Sequence, residues 1–241
     1  MPDKLWDGHP GRTPCCGTPD WPGNQRATSP PAKSCAWTRS TSCAIARRSR
    51  PSDGRSPQGP PVDDYVFVEG PADLDAGDTP VREVALSGLF SAPDRALIVY
   101  HLMYGKLQTD PCPMCTLWID GFNGIAHHIA RNADFAVAAA ADLPALRQHA
   151  RNRGWHRLRL LSCGDSTFKY DLGSEDKDGE QDSTVSVFTR DGDGTVRHCY
   201  SAHPRMADDI DQRGIDLLAP VWHLLDLTPQ GRGDWYASLD Y

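Results

Sequence analysis

A continuous apolar run from Ala96 to His101 predicts a β-strand buried on both faces, which is typical of a parallel strand at the centre of a sheet. Two further runs, Asp134 to Ala140 and Leu158 to Leu161, predict neighbouring buried strands. A helical pattern follows the first strand, and Leu143 to Arg153 predicts a second helix that ends at Gly154. Strand, helix, strand, helix, strand with short links indicates right-handed crossovers and a mainly parallel sheet.

The remaining elements complete an α/β domain. Val81 to Leu86 alternates apolar and polar residues like a half-buried strand. Thr184 to Arg190 and Val196 to Ser201 flank the turn sequence Asp191 to Gly194 and predict a β-hairpin. Apolar residues between Ile215 and Leu225 predict a last, covering helix. This order predicts a thioredoxin-like fold: a central mixed sheet with flanking helices and a C-terminal β-hairpin plus helix.

Two cysteines, Cys112 and Cys115, lie between the first buried strand and the helix that follows it. A helix start places the first sulfur beside unpaired backbone N–H groups and the positive end of the helix dipole, and both favour thiolate over thiol. The second sulfur lies one helical turn further along, where it can close a disulfide with the first. The pair is therefore a candidate redox-active dithiol with both cysteines in catalytic roles.

The first 61 residues differ in composition from the rest. They hold eleven of the twenty prolines, and their only Leu, Ile or Val residues are Leu5 and Ile45. So little apolar surface does not offset the entropy lost on ordering a chain. We therefore interpret residues 1–61 as a disordered leader or a segment translated in a shifted reading frame, and residues 62–241 as one domain.

Net charge and hydropathy exclude several classes of function. The charge is −7 at pH 7, which argues against a nucleic-acid partner. No stretch approaches the roughly 20 apolar residues that span a bilayer, and the N-terminus lacks the apolar region of a secretory signal, so we expect a cytoplasmic protein without a membrane partner. One basic cluster is interpreted as the solvated face of a helix together with the segment that follows the helix. It consists of Arg147, Arg151, Arg153, Arg157 and Arg159.

Five separate stretches carry a resemblance to a known family: Asp64 to Pro71, Tyr100 to Gly105, Pro111 to Cys115, Trp118 to Gly124 and Leu225 to Arg232. In this order they resemble a bacterial thioredoxin-like family of unknown function that carries a CPxC motif and is distantly similar to thioredoxins and peroxiredoxins. The resemblance covers about Val62 to the C-terminus. It implies a thioredoxin-like fold in a cytoplasmic protein and says little about substrate.

The activity expected from the dithiol is thiol-disulfide exchange, with a protein or small-molecule thiol or disulfide as substrate and no cofactor. Cys112 is expected to attack, and Cys115 to resolve the mixed disulfide from one turn inside the helix. The residues expected to line or support the substrate groove are Pro111, Pro113, Thr184 and Trp118. The oligomeric state is not predicted.

Three alternatives stay open. Ser183 and Thr184 stand where redox enzymes of this fold usually carry a cis-proline, so the chain is alternatively a non-catalytic binding module that uses the groove beside the pair. A peroxiredoxin-like peroxidase is suggested by Thr109, three residues before Cys112, although Gly105 replaces the proline of that pattern. The pair could also supply half of a zinc site. Its other ligands would come from His101, His127 or His128.

Overall fold

Seven strands form one mixed sheet in the order β2-β1-β5-β4-β3-β6-β7. The computed structural model describes residues 59–204 and 215–240. The strands are β1 (Val66–Glu69), β2 (Arg82–Ala85), β3 (Leu97–Leu102), β4 (Asp134–Ala139), β5 (Arg159–Ser162), β6 (Thr184–Arg190) and β7 (Val196–Ala202). Strands β3, β4 and β5 are parallel, and the other pairings are antiparallel. The three predicted parallel strands and the predicted hairpin are therefore confirmed.

The described helices are α1 (Pro113–Ile129), α2 (Leu143–Arg153), α3 (Phe168–Asp171) and α4 (Pro220–Asp226), with short 3-10 turns at Leu74–Ala76, Leu86–Leu89 and Asp216–Leu218. The predicted covering helix is thus divided. Ala219 is extended, with φ −118° and ψ 111°, and Pro220 begins α4. The division has a local cause, because proline disfavours a helical conformation in the residue before it.

Two hydrophobic cores lie on opposite faces of the sheet. Strand β3 contributes to both, since Tyr100 and Leu102 pack in one core and Leu97 and Val99 in the other. Alternating side chains of a strand point to opposite faces, so a strand buried on both sides needs apolar residues throughout. Helices α1 and α2 cover the face on which Tyr100 lies. A central parallel strand, two covering helices, an antiparallel hairpin and a final helix make this a thioredoxin-like fold.

The chain joins the sheet slightly earlier than the predicted boundary. The carbonyl of Pro60 accepts a hydrogen bond from the amide of His198 at 3.0 Å, and Pro61 forms an isolated bridge with Arg197. Residues 59–61 therefore lie along β7. The rest of the predicted leader, residues 1–58, lies outside the described residues.

The interpretation of the arginine cluster as a solvated helix face is wrong for Arg147. This side chain is 3% exposed, and its guanidinium donates to the carbonyls of Pro71, Asp73, Leu74 and Gly77. It also binds the carboxylate of Asp78 at 3.0 Å. Arg147 therefore holds the segment after β1 against α2.

None of the helices in the described ranges combines the length and the apolar character that crossing a membrane requires.

Candidate dithiol site

Cys112 and Cys115 lie at the carboxyl end of β3, where the chain turns into α1. Cys112 is the N-cap residue of α1, and its amide donates to the carbonyl of Met103 at 3.0 Å. Pro113 occupies the first turn, where its missing N–H costs no hydrogen bond. Cys112 is half-buried, Cys115 is fully buried, and both are free thiols. The thiol expected to attack is therefore the more accessible of the two.

Electrostatic interactions connect the two thiols. Burial raises the pKa of Cys115 well above its usual value, and its contact with Cys112 raises this pKa further. The hydroxyl of Tyr100 and the backbone at Met103 act in the opposite direction and favour the Cys115 thiolate. The two thiols therefore interact with each other.

The hydroxyl of Tyr100 is fully buried beside this pair. Burial raises the pKa of Tyr100 well above 10.0, and the neighbouring Cys115 raises it further, so the hydroxyl stays protonated. Among the described residues it has no hydrogen-bond partner of normal geometry. A buried hydroxyl without a partner is rare in folded proteins. Here it faces a sulfur that would become a strong acceptor on ionisation.

A buried lysine lies on the other side of β3. Lys169 is 1% exposed, and its ammonium group donates to the carbonyl of Leu102 at 2.8 Å. Burial lowers the pKa of Lys169, whereas Cys163 and Cys115 act to raise it. Burial likewise raises the pKa of Cys163 to about 11, and its thiol contacts the carbonyl of Ala139. Lys169 is therefore a buried amine that interacts electrostatically with Cys115, the buried half of the dithiol.

The four residues expected to line or support a groove fall into two groups. Pro111 and Pro113 are half-buried and flank Cys112. Trp118 is 1% exposed and Thr184 is fully buried, with its hydroxyl 2.9 Å from Nδ1 of His203. Trp118 packs in the same core as Cys115, whereas Thr184 alternates with Val185 of that core and therefore projects from the opposite face of the sheet. Neither buried side chain lines an open groove.

A cavity of about 550 Å³ borders Pro111 and contains Tyr104, His149 and Asp240 in its wall. Nε2 of His149 lies 3.2 Å from the hydroxyl of Thr116 in the first turn of α1. Burial lowers the pKa of His149 to about 4, and Arg153 contributes in the same direction. The imidazole is therefore neutral at pH 7 and gives the cavity an uncharged polar wall.

The peroxiredoxin pattern is not reproduced around Cys112. Gly105 has φ +95°, and a Cβ at this position would lie 2.1 Å from the amide nitrogen of Ala141. Proline has a fixed φ near −65°, so it does not fit there. Thr109 is exposed, and its hydroxyl lies 3.4 Å from the carboxylate of Asp110. These positions thus depart from the arrangement that would favour a peroxidase.

The histidines considered as zinc ligands have other surroundings. The ring of His101 is fully buried, lies 2.7 Å from Ser174 Oγ and 3.0 Å from Ser186 Oγ, and stacks on Phe168. His127 and His128 are exposed near the other end of α1. Within residues 59–204 and 215–240, no three His, Cys, Asp or Glu side chains are grouped so that they could hold a metal ion.

Reasoning from the sequence missed Tyr100, Lys169 and His149 as neighbours of the site. Tyr100 was assigned only to a buried strand, and nothing local marks Lys169 as buried. All three act across contacts between separate elements, which hydrophobic periodicity does not reveal.

Several solved structures, including the following three, are similar to this chain at low sequence identity. A mutant of Xylella fastidiosa PrxQ has a TM-score of 0.46 and 13% identity, with 69% of this chain and 96% of that chain covered. Mycobacterium tuberculosis AhpC has a TM-score of 0.44 and 15% identity over 69% and 96% of the two chains. A Xanthomonas campestris peroxiredoxin Q mutant has a TM-score of 0.41 and 14% identity, with 58% of this chain and 83% of that chain covered.

Among curated proteins, no significant match to this chain exists. Residues 73–241 match the family described as "Bacterial protein of unknown function (DUF899)". This match includes the dithiol, α1 and α2, all parallel strands and the C-terminal hairpin. The predicted resemblance to a bacterial thioredoxin-like family of unknown function is therefore confirmed, and the chain belongs to this family.

Proposed function

We propose that the protein is a thiol-disulfide oxidoreductase that uses Cys112 and Cys115. The observation that carries this proposal is the placement of a half-buried thiol at the start of α1 with a second, fully buried thiol in contact with it. A thiolate is the reactive form in disulfide exchange, and a helix N-terminus stabilises it. The buried Tyr100 hydroxyl adds a hydrogen-bond donor next to the pair.

The reaction proceeds in two balanced steps. The Cys112 thiolate attacks one sulfur of a substrate disulfide, forms a mixed disulfide and releases the other sulfur as a thiolate. Cys115 then loses its proton and attacks the Cys112 sulfur, which releases the second substrate thiol. Two electrons pass from the dithiol to the substrate. A second dithiol of the cell must return them, since Cys112 and Cys115 end as a disulfide.

The residues around the pair assist the second step, in which Cys115 attacks the Cys112 sulfur. Burial holds Cys115 protonated, so this thiol stays unreactive until the mixed disulfide forms. The Tyr100 hydroxyl and the Met103 backbone then stabilise the thiolate that attacks. A buried resolving thiol also avoids reaction with other oxidants before substrate arrives.

The substrate proposed is a protein or small molecule with an accessible disulfide, taken from a reducing cytoplasm. The cavity beside Pro111 supports this choice because it opens next to the attacking residue and has a neutral imidazole in its wall. Pro111 would contact the substrate, whereas Trp118 would support the first turns of α1 from within the core. No cofactor takes part in either step.

Substitution of each cysteine tests the proposal. Cys112→Ser is expected to lower the rate of reduction of an aromatic disulfide by more than about 100-fold, since a hydroxyl does not form the reactive thiolate. Cys115→Ser should retain attack and accumulate the mixed disulfide, which intact-mass spectrometry detects on residue 112. Cys199→Ser is the matched control, because Cys199 is half-buried in β7, away from the pair.

Equal rates for Cys112→Ser and wild type would overturn the proposal and favour the non-catalytic binding module. Loss of activity in the Cys199→Ser control would equally contradict the assignment to residues 112 and 115. All variants retain the remaining cysteines, so the background reaction is the same in each measurement.

A further inference from the structure

A second cavity of about 550 Å³ lies away from the dithiol, at the edge of the sheet formed by β1 and β2. It is bounded by Glu69 at the end of β1, by Arg147 of α2, and by residues 156–160 at the start of β5. Strands β4 and β5 separate β1 from β3, after which the dithiol follows. The residues before β5 are at the opposite end of the parallel strands from Cys112.

Arginines dominate the wall of this cavity. Arg82 and Arg159 share one carboxylate, that of Glu69, at 2.7 Å each. Burial alone would raise the pKa of Glu69, but Arg159 and Arg82 together lower it, so the carboxylate is ionised at neutral pH. Glu69 thereby fixes two guanidinium groups side by side, and each keeps further N–H donors.

Charge in the wall is not balanced. Arg157 also lines the cavity, is exposed, and pairs with no carboxylate in the described part of the chain. Arg147 pairs with Asp78, which also binds Arg151, and donates to backbone carbonyls as well. Three guanidinium groups, on Arg82, Arg157 and Arg159, therefore face the single carboxylate of Glu69, which leaves two positive charges in excess.

Apart from His156, the remaining side chains of the wall are apolar. They include Pro71, Leu74, Leu158 and Leu160. A cavity of this volume accommodates a small organic molecule. Its ligand must therefore combine an apolar body with about two negative charges. A phosphate monoester has this charge near pH 7, and the guanidinium fork matches its oxygens better than an ammonium group does.

We propose that this cavity binds a small phosphate monoester, with the phosphate on Arg82, Arg157 and Arg159 and the organic group against Pro71 and Leu158. The site is separate from the dithiol, and binding there involves no covalent step. It gives a function to the exposed part of the arginine cluster and to the Glu69-Gly70-Pro71 segment.

Calorimetric titration of the full chain with phenyl phosphate tests this proposal. We expect one molecule bound per chain. Arg157→Ala should weaken binding about tenfold or more, since it removes charge-assisted hydrogen bonds, and the Arg82→Ala/Arg157→Ala double variant should abolish it. Arg131→Ala is the matched control, because Arg131 is exposed after α1 and outside the cavity. This variant should bind as wild type does.

Two further ligands distinguish the contribution of the organic group from that of the phosphate charge. Inorganic phosphate should bind more weakly than phenyl phosphate, and benzoate, a monoanion with the same ring, should not bind detectably. Absence of binding by phenyl phosphate, equal affinity of the double variant, or equal affinity of benzoate would each overturn the proposal. Cys112→Ser should bind phenyl phosphate like wild type, so failure of the redox proposal and failure of this one are distinguishable.

Discussion

Among single residues, Tyr100 has the most direct influence on the proposed thiol chemistry, through its hydroxyl. It is buried beside Cys115 and favours the thiolate of that residue. Tyr100→Phe removes this donor and keeps the ring. We expect closure of the mixed disulfide to slow by about tenfold or more, the range for a hydrogen bond to a charged group. Rapid-quench mass spectrometry of the mixed disulfide measures this step.

Attack by Cys112 should slow much less than closure does in Tyr100→Phe, because the hydroxyl interacts more strongly with Cys115 than with Cys112. Tyr170→Phe provides the comparison, since Tyr170 is 52% exposed. An unchanged closure rate in Tyr100→Phe would show that the buried hydroxyl has no part in resolution.

Burial of Lys169 should make the free energy of unfolding depend on pH. Its pKa in the folded protein is lowered by burial, so the unfolded chain binds the proton more tightly. Its contribution to stability therefore rises with pH across the interval between the lowered pKa and the ordinary lysine value of about 10.4. Lys169→Met removes this dependence. Wild type should gain stability relative to Lys169→Met between pH 7 and pH 10, measured by urea unfolding.

The comparison with Lys169→Met cancels the titration of groups that both proteins share. Lys177→Met, at a side chain 81% exposed, should show no such pH-dependent difference from wild type. A constant difference between wild type and Lys169→Met over this interval contradicts the assigned direction of the pKa shift.

At the scale of elements, α2 shows how local signals define a helix. Its N-cap residue Asp142 accepts a hydrogen bond from the amide of Ala145 at 2.8 Å, and Gly154 ends it with φ +69°. Asp142→Ala should lower the free energy of unfolding by about 1 kcal/mol, the usual value of an N-cap. Urea denaturation measures this change. Asp94→Ala, in an exposed turn, should leave the urea midpoint unchanged, and equal effects of the two substitutions would refute the capping role.

Element positions were predictable from the sequence where local rules decide them. Continuous apolar runs predicted β3, β4 and β5, and Asp191 to Gly194 predicted the hairpin. The division at Ala219 was missed because the apolar spacing continues across Pro220. Arg147 was misjudged for a different reason: the carbonyls that it binds belong to a segment about 70 residues earlier in the chain. The dithiol could be found from spacing and context, whereas its neighbours Tyr100 and Lys169 depend on tertiary packing.

For the whole molecule, we expect residues 59–241 to form an autonomous domain. Both cores are built within this range, and residues 59–62 add hydrogen bonds along β7. A chain beginning at Gly59 should unfold cooperatively in urea and keep its near-ultraviolet circular dichroism. A chain beginning at Asp63 should be less stable by about 1–3 kcal/mol, because hydrogen bonds to β7 are lost. Noncooperative unfolding of the longer chain would contradict the proposed domain.

Hydrogen bonds hold the segment between β3 and Cys112 at several points. Gly105 and Gln108 exchange backbone hydrogen bonds, the side chain of Gln181 bonds to the carbonyl of Gly105, and Met103 holds the amide of Cys112. These hydrogen bonds hold the edge in place, so in the proposed reaction we expect the substrate to make most of the conformational adjustment. We therefore expect disulfides in flexible tails or partly unfolded regions to react faster than disulfides held inside compact proteins.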